Sequence, residues 1–544
     1  MSSSEPPSGP RLAFGTAGLR APVGPGLDRM NDLVVRQTTA GVMRWLSSAE
    51  GPGVDAPTIV IGFDARLDSQ DFAAAVAETV RVVGGRALLA DRPVPTPVVA
   101  HAVRTEGADA GVVITASHNP PADNGYKLYL GDGRQLPPPL DEQIAAVIDE
   151  EARSWGDHPA ANVAVGPAAG SGVASVDASV WIEQHRVAAL HAVETLLGGA
   201  IPGGAGGATR SGESLRTVYT PMHGVGAEAT HQLMDAAGYE RMTDVPSQIE
   251  PDGRFPTVSF PNPEEPGALD EAMRVAAELD AGIIIAQDPD ADRLALAVAR
   301  ADSPDPVVLS GDELGALLAD HILRSTRGPR LVARSVVSSR LLDRIAGAAD
   351  DVACAVTLTG FKWISRAADD HPGRAFVFGY EEAIGYQVGN HVLDKDGITA
   401  ALAVRHMLGA LAAQGETVWD RLDELARRHG LHCSRPVSIR FDDDPAAPAR
   451  LIARFQQEPP TSLAGAPITA NAIGGDSLPE TPGVELHAED GSRVIIRPSG
   501  TEPKLKAYVE VIESIGNGAV ASARAVAEDR LDRLGSAVSE LLQS

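Results

Sequence analysis

The chain reads as a multidomain α/β protein: three related α/β domains followed by an α+β domain. Three observations point there. At 544 residues it exceeds what one hydrophobic core usually supports, roughly 250–300 residues. Strand-like and helix-like segments alternate almost throughout. A strand–turn–helix order occurs three times, although sequence identity among the three is slight.

In the first unit, Thr58-Ile-Val-Ile-Gly62 is the strand. Ser69 is placed to cap a helix over 70–83, and Gly84-Gly85 ends it. In the second, Val218–His223 precedes a helix over 228–237, closed by Gly238. In the third, Leu331–Val337 precedes a helix over 338–346. Val176–Leu197 has helical apolar spacing and leads out of the first domain; Gly198–Gly212 is Gly/Ala/Ser-rich and reads as linker or surface insertion. Further breaks fall near Ala301–Pro306, ahead of a helix opened by Gly311-Asp-Glu, and near Arg428-His-Gly430. The expected domains are therefore 1–197, 198–306, 307–430 and 431–544. The last carries strands around Arg497 and helices over 448–457 and 519–542.

Composition limits the function classes. Apolar residues make up 44% of the chain, enough for several cores. A net charge of −27 argues against nucleic acid, which calls for a basic surface. No apolar run reaches about 18 residues and the amino terminus lacks a signal-peptide pattern, so the expectation is a cytoplasmic protein without a membrane partner. Cys354 and Cys433 lack metal-ligand spacing and read as packing thiols.

Three motifs carry chemistry. Gly282–Gln287 is an apolar run read as a strand covered on both faces, and Asp288-Pro-Asp-Ala-Asp-Arg293 follows it. Pro289 keeps the strand from continuing, so Asp288, Asp290 and Asp292 gather in a loop at its carboxyl end, where open α/β sheets bind ligands. Such oxygen ligands suit Mg²⁺, with Arg293 set to partner a phosphate. An EF-hand reading fails, since Arg293 and Ala299 occupy the places of its Gly and Glu. A solvated acidic turn and an aspartyl-nucleophile phosphatase are the other readings. The second motif, Gly111–Pro120, is an apolar strand ending in Ser117-His118-Asn119-Pro120, with Lys127 shortly after. Ser117 on that turn is a candidate nucleophile needing a base or electrostatic help, or else an ordinary turn serine. The third, Arg497-Pro-Ser499-Gly500-Thr501-Glu-Pro-Lys504, offers hydroxyls and backbone N–H groups between two cations, the ingredients of an anion nest or of a polar hairpin.

Together these motifs resemble the α-D-phosphohexomutases, the phosphoglucomutases and phosphomannomutases. Phe14–Arg20, Pro261–Pro266, Thr359-Gly-Phe-Lys362, Phe378–Tyr386 and Asp394-Lys-Asp-Gly397 are similar to further family segments, in order. The resemblance implies four domains around a central cleft: a phosphoserine loop in domain I, a metal loop in II, a sugar-recognition loop in III and a phosphate-binding loop in IV. It implies that Ser117 carries a phosphoryl group and, with the three aspartates, meets Mg²⁺. Lys127 is the preferred general acid–base, with His118 the other candidate and Arg20 part of the catalytic set. Arg293, Lys362, Arg497, Ser499, Gly500, Thr501 and Lys504 would bind phosphate or substrate, and Glu381 and Glu382 the sugar hydroxyls. A hexose 1,6-bisphosphate would be the activator, and small sugar phosphates the partners.

The expected reaction interconverts hexose 1- and 6-phosphates of glucose and mannose. The alternatives are a phosphopentomutase of the same family, a Mg²⁺-dependent sugar-phosphate phosphatase and a non-catalytic sensor. The sugar loop departs from the commonest pattern: Ala383 and Gly385 stand where many members have Ser and His. Phe361 stands where some relatives have His. These features resemble the type-2 phosphoglucomutase branch, some members of which act on pentose phosphates.

Overall fold

The computed structural model describes residues 11–12, 18–162, 172–198, 215–441, 443–499, 504–516 and 518–543. Phe14–Ala17 of the amino-terminal segment, most of the expected 198–212 linker, and Gly500 and Thr501 lie outside these. The chain forms two compact units, residues 1–309 with 383–415, and residues 310–382 with 416–544.

The first unit holds two sheets. One has six strands in the order Leu19–Pro22, Asp123–Leu130, Ala110–Ile114, Thr58–Phe63, Arg86–Ala90, Val173–Val176. Its central pairs are parallel, and Asp123–Leu130 runs antiparallel between Ala110–Ile114 and Leu19–Pro22. Every residue of Ala110–Ile114 is buried, as a strand covered by helices on both faces requires. The other sheet has five strands, in which Thr217–Thr220 pairs parallel with Ile283–Gln287 and with Thr243–Asp244. Ile283–Gln287 and Leu294–Val298 pair antiparallel and are wholly buried, so Asp288–Arg293 is a hairpin loop between two core strands.

Two expectations change here. Ser69 does not cap its helix. The helix is Ser69–Val82 with Asp68 at the N-cap, and the Ser69 hydroxyl donates to Asp64 at 2.6 Å. Asp64 fixes the direction of the hydroxyl, and Asn124 Nδ2 donates to its oxygen at 3.0 Å in place of the helix's own N–H groups. Residues 383–415, taken from sequence as part of the third domain, pack with the first unit. Their helix Gly397–Gln414 contacts Ala178–Leu197 and Ala227–Ala236. This helix has 15 buried residues, more than one amphipathic stripe supplies, because neighbours cover it on several sides.

In the second unit, Arg330–Ser335 pairs parallel with Val352–Thr357 and with Ala375–Glu381. The expected helix after Leu331–Val337 begins later, at Leu341, because residues 336–340 form a turn pinned to the carboxy-terminal sheet. Arg493 donates to the carbonyls of Val336 and Ser338, at 2.9 and 2.8 Å. Gly311–Ser325 opens with a capping box between Ser310 and Glu313. The remaining sheet is antiparallel, with Leu431–Arg440, Lys504–Glu513, Arg493–Pro498 and Val484–Ala488 as its main strands. The helix Val520–Gln543 covers it.

Gly397 marks a close approach within the first unit. Its N–H donates to Ala291 O at 3.2 Å, and a Cβ there would lie 2.4 Å from Arg293 O. Both neighbours are backbone and cannot swing aside. Gly397→Ala should therefore destabilise the first unit by about 1–3 kcal/mol, the usual cost of overpacking. Chemical denaturation against the wild-type chain measures this as a lower midpoint.

Candidate functional site

Ser117 sits just past the strand Ala110–Ile114 with φ +52°, the left-handed region that non-glycine residues rarely adopt. Strain of this kind costs about 1–3 kcal/mol and persists only when surroundings impose it. Arg66 imposes it. Its guanidinium donates to the carbonyls of Ser117, Asn119, Pro120 and Asp123, at 2.6–2.9 Å. Asp64 completes the frame, 3.2 Å from Arg66 Nε and accepting from Thr115 Oγ1 at 2.6 Å. Thr115 Oγ1 in turn accepts the Ser117 N–H at 2.8 Å.

The Ser117 hydroxyl donates to Asp288 Oδ2 at 2.7 Å and lies 3.1 Å from His118 Nδ1. Burial pushes the His118 imidazole well below its ordinary value, helped by Arg293 and Arg20. His118 is therefore neutral at pH 7. Arg20 donates weakly to Asn119 Oδ1 at 3.4 Å, and its Nε is buried without a hydrogen-bond partner.

Asp288, Asp290 and Asp292 are each 0% exposed. Carboxylates that deep need cations or donors around them. Lys127 Nζ donates to Asp290 Oδ2 and Asp292 Oδ2, both at 2.6 Å. Lys395 Nζ lies 2.8 Å from Asp292 Oδ2, and Thr96 Oγ1 donates to Asp290 Oδ2 at 2.6 Å. Burial acts to raise the Asp290 carboxyl, yet the charge and hydrogen bond of Lys127 hold it well below the usual range. Asp292 is likewise lowered: burial and the charge of Asp290 oppose, but Lys127 and Lys395 prevail. Asp288, without a cation of its own, is pushed well above the usual range by burial and then by Asp290 and Asp292.

This donor set fits a divalent cation. One carboxylate oxygen from each aspartate lies within 4.8 Å of the others. Asp290 Oδ1 and Asp292 Oδ1 are buried with no hydrogen-bond partner. All the ligands are hard oxygens, as Mg²⁺ prefers. Arg293 anchors the loop: its N–H donates to Asp288 Oδ1 at 2.9 Å and its guanidinium to Ala383 O at 3.1 Å.

The second unit holds the other expected residues. Glu381 ends the strand Ala375–Glu381, and Glu382 follows it. Glu382 Oε2 accepts from Ser335 Oγ at 3.0 Å and Ser338 Oγ at 3.2 Å. Burial, then the charges of Glu381 and Asp312, push the Glu382 carboxyl up to about 7. Tyr508 lies beside this pair and beside Arg497: its phenol is raised by burial and by the charge of Glu382, while Arg497 acts the other way. The sugar-loop glutamates and the Arg497 strand are thus neighbours inside this unit. Lys362 is buried in the short helix Phe361–Ile364. Ser499 N–H donates to Lys504 O at 2.9 Å.

Sequence reasoning missed Thr96, Lys395, Asp64, Arg66, Ser335, Ser338 and Tyr508. Lys395 stood in a family-like segment and Ser335 and Ser338 in an expected strand and helix, but none of the three was given a role in the site. Asp64 and Arg66 directly follow an apolar strand, a signal as good as the one that drew attention to Asp288. Lys127, which the resemblance implies as the general acid–base, has its Nζ engaged with Asp290 and Asp292.

Four family profiles match the chain in order. Those described as phosphoglucomutase/phosphomannomutase alpha/beta/alpha domains I, II and III match residues 11–154, 206–301 and 310–429. The one described as the phosphoglucomutase/phosphomannomutase C-terminal domain matches 463–514. A Haemophilus influenzae protein named "Probable phosphomannomutase" is 37% identical over 486 residues, covering 88% of this chain and 93% of its own. The Homo sapiens protein named phosphopentomutase is 33% identical over 551 residues, covering 94% and 86%. Among solved structures, the open form of the Paramecium exocytosis-sensitive phosphoprotein parafusin, titled a phosphoglucomutase, superposes with TM-score 0.70. It covers 99% of this chain and 96% of its own at 19% identity, so that likeness concerns the fold alone.

Lys127 and a divalent cation would draw on the same two carboxylates, Asp290 and Asp292. Replacing it by a neutral residue of similar length, Lys127→Met, should tighten Mg²⁺ binding by about tenfold or more, given the few kcal/mol between adjacent charges at intermediate dielectric. Calorimetric titration with Mg²⁺ reads this without reference to turnover.

Proposed function

The chain belongs to the phosphoglucomutase/phosphomannomutase family, and on that premise we propose that it interconverts hexose 1-phosphates and hexose 6-phosphates, taking both glucose and mannose. The observation that carries this reading is Ser117 Oγ, held on a strained turn 2.7 Å from one of three buried aspartates. The four domains would divide at residues 197, 306 and 430.

In the proposed cycle, Ser117 carries a phosphoryl group. The P–O bond to Ser117 Oγ breaks as one forms to the free sugar hydroxyl, whose proton passes to a base. The resulting bisphosphate returns its other phosphoryl group to Ser117, and the proton goes back to the sugar oxygen. Phosphoryl transfer asks mainly for positioning and charge stabilisation. Asp288, Asp290 and Asp292, with Ser117, would hold Mg²⁺, which supplies neutralising charge to the transferring group. Arg20 and Arg293 would donate to its equatorial oxygens. Lys127 remains the preferred acid–base; to accept a proton its Nζ must first have given one up, which weakens its hold on Asp290 and Asp292. His118, neutral and 3.1 Å from Ser117 Oγ, is the other group in reach. Arg497, Ser499, Gly500, Thr501, Lys504 and Lys362 would bind the phosphate that is not reacting. Glu381 and Glu382 would accept from the sugar hydroxyls. A hexose 1,6-bisphosphate would prime the enzyme.

Glucose and mannose differ only at C2, and strong discrimination needs a buried polar group dedicated to that hydroxyl. Ala383 supplies none. We therefore expect kcat/KM for glucose and mannose 1-phosphates to agree within about 100-fold. Measuring glucose, mannose and ribose 1-phosphates under one activator and one Mg²⁺ concentration tests this. A strong ribose preference would support the pentose reading, which Ala383, Gly385 and the likeness to the human phosphopentomutase favour. Ser117→Ala should abolish both turnover and the phosphate that intact mass finds on the wild-type chain. Turnover surviving in Ser117→Ala, with release of inorganic phosphate, would point to a phosphatase.

Glu382 also sets a pH dependence. Its raised value means that below about 7 the carboxyl is protonated, and above it a carboxylate accepts sugar hydroxyls. KM should fall as pH rises through about 7. Glu382→Gln should remove that step and raise KM at pH 8 roughly tenfold, the worth of one hydrogen bond to a charged group.

A further inference from the structure

A second polar cluster lies in the first unit, apart from the aspartate loop. His185 comes from the helix Ala178–Leu197 and His391 from the segment after the strand Gly385–Val388. Asp396 caps the helix Gly397–Gln414. The His185 and Asp396 side chains are each 1% exposed and that of His391 is 9%. Nothing in the proposed phosphoryl transfer uses them.

Their geometry is focused on one atom. Asp396 Oδ1 is occupied in capping, accepting from the N–H groups of Ile398 and Thr399 at 2.9 and 3.0 Å. Asp396 Oδ2 meets His185 Nε2 at 2.8 Å, Thr399 Oγ1 at 2.5 Å and His391 Nε2 at 3.4 Å. His185 Nε2 and Thr399 Oγ1 fill the two lone pairs of that oxygen, and His391 Nε2 stands within ion-pair distance of it. His391 Nε2 also lies 3.0 Å from Thr399 Oγ1, so the hydroxyl and both imidazoles crowd one point. His101, on the helix Thr96–Thr105, stands beside them with its ring centre 5.9 Å from that of His185. His101 Nδ1 and His391 Nδ1 are buried with no hydrogen-bond partner.

We propose that His185, His391 and Asp396 form a binding site for a Zn²⁺-class transition-metal ion, with His101 a further imidazole beside it. The two Nε2 atoms and Asp396 Oδ2 lie within 4.8 Å of one another, so a central ion needs only small ring movements. The donor type selects the metal: two imidazoles and one carboxylate suit Zn²⁺, Co²⁺ or Ni²⁺, whereas Mg²⁺ prefers the all-oxygen aspartate loop. Arg104 is the opposing feature, a cation donating to the carbonyls of Asn390 and His391 at 3.0 and 2.8 Å. It also holds His391 in place. The ion would cross-link the helix Ala178–Leu197 to the start of Gly397–Gln414, one residue from Lys395 and its Asp292 contact.

The test uses the untagged full chain, stripped with chelator and reloaded with Co²⁺ or Zn²⁺. Expected are visible d–d bands of low-coordinate Co²⁺ and, by X-ray absorption on the Zn²⁺-loaded chain, at least two imidazoles around the metal. His185→Gln and His391→Gln should each weaken Co²⁺ binding by more than the roughly 10–100-fold that loss of a second-shell partner costs. Asp290→Asn, which alters only the aspartate loop, should leave the bands intact. An oxygen-only shell, bands that persist in both histidine variants, or no binding would overturn the proposal. The wild-type X-ray absorption result decides the question even where a histidine variant fails to fold.

Discussion

Three carboxylates with no exposure at all cannot be stabilised from within their own loop, so the rest of the first unit has to bring charge and donors to them. Lys127 arrives from the antiparallel strand Asp123–Leu130, Thr96 from the start of a helix, and Lys395 from the segment before Gly397. Each lies in a different part of the chain. Breaking one buried pair leaves an uncompensated charge and costs about 3–5 kcal/mol. An exposed pair such as Arg533 with Asp529 contributes about 0–1 kcal/mol. The difference explains why residues 383–415 pack with the first unit: Lys395 supplies a charge that Asp292 needs.

The same logic shapes the turn that carries Ser117, the proposed nucleophile. Ser117 could relax out of the left-handed region were its carbonyl and those of Asn119, Pro120 and Asp123 not all fixed by one guanidinium. Arg66 is in turn held by Asp64, itself anchored by Ser69 and Thr115. Strain of this size is offset by charge-assisted hydrogen bonds worth more than neutral ones. The result is a hydroxyl aimed at Asp288 before any substrate arrives, which is the preorganisation phosphoryl transfer demands.

Much of this was legible in sequence because it is local. An apolar run ending in carboxylates, or in Ser-His-Asn-Pro, announces a strand and the turn after it. The helix opening at Gly311-Asp-Glu and the glycine after Val83 are local too. Ser69 was misread because a tertiary partner, Asp64, claimed its hydroxyl. The acid–base role expected of Lys127 rested on the resemblance, and only the fold shows which anions its Nζ meets. Thr96, between two prolines, carries no sequence signal of its role. Ser335 and Ser338 look like ordinary turn residues until Glu382 is placed beside them. Residues 383–415 follow the sugar-loop glutamates directly, so nothing in their order announces that they pack with the preceding domains.

Charge accounting reconciles an acidic chain with an anionic substrate. A total of −27 would repel phosphate if it acted as a whole. At physiological ionic strength, exposed charges beyond about 8 Å are largely screened, so only the immediate surroundings count. Within the first unit, Lys127 and Lys395 are committed to aspartates, and neutralising the third carboxylate falls to a divalent ion. Arg20 and Arg293 are only partly buried, and Arg20 retains a donor with no hydrogen-bond partner. In the second unit Arg497 acts on Tyr508 beside the glutamates. Phosphate recognition can therefore rest on a few guanidiniums at each site, whose fixed, forked donors match phosphate oxygens better than a diffuse positive surface would.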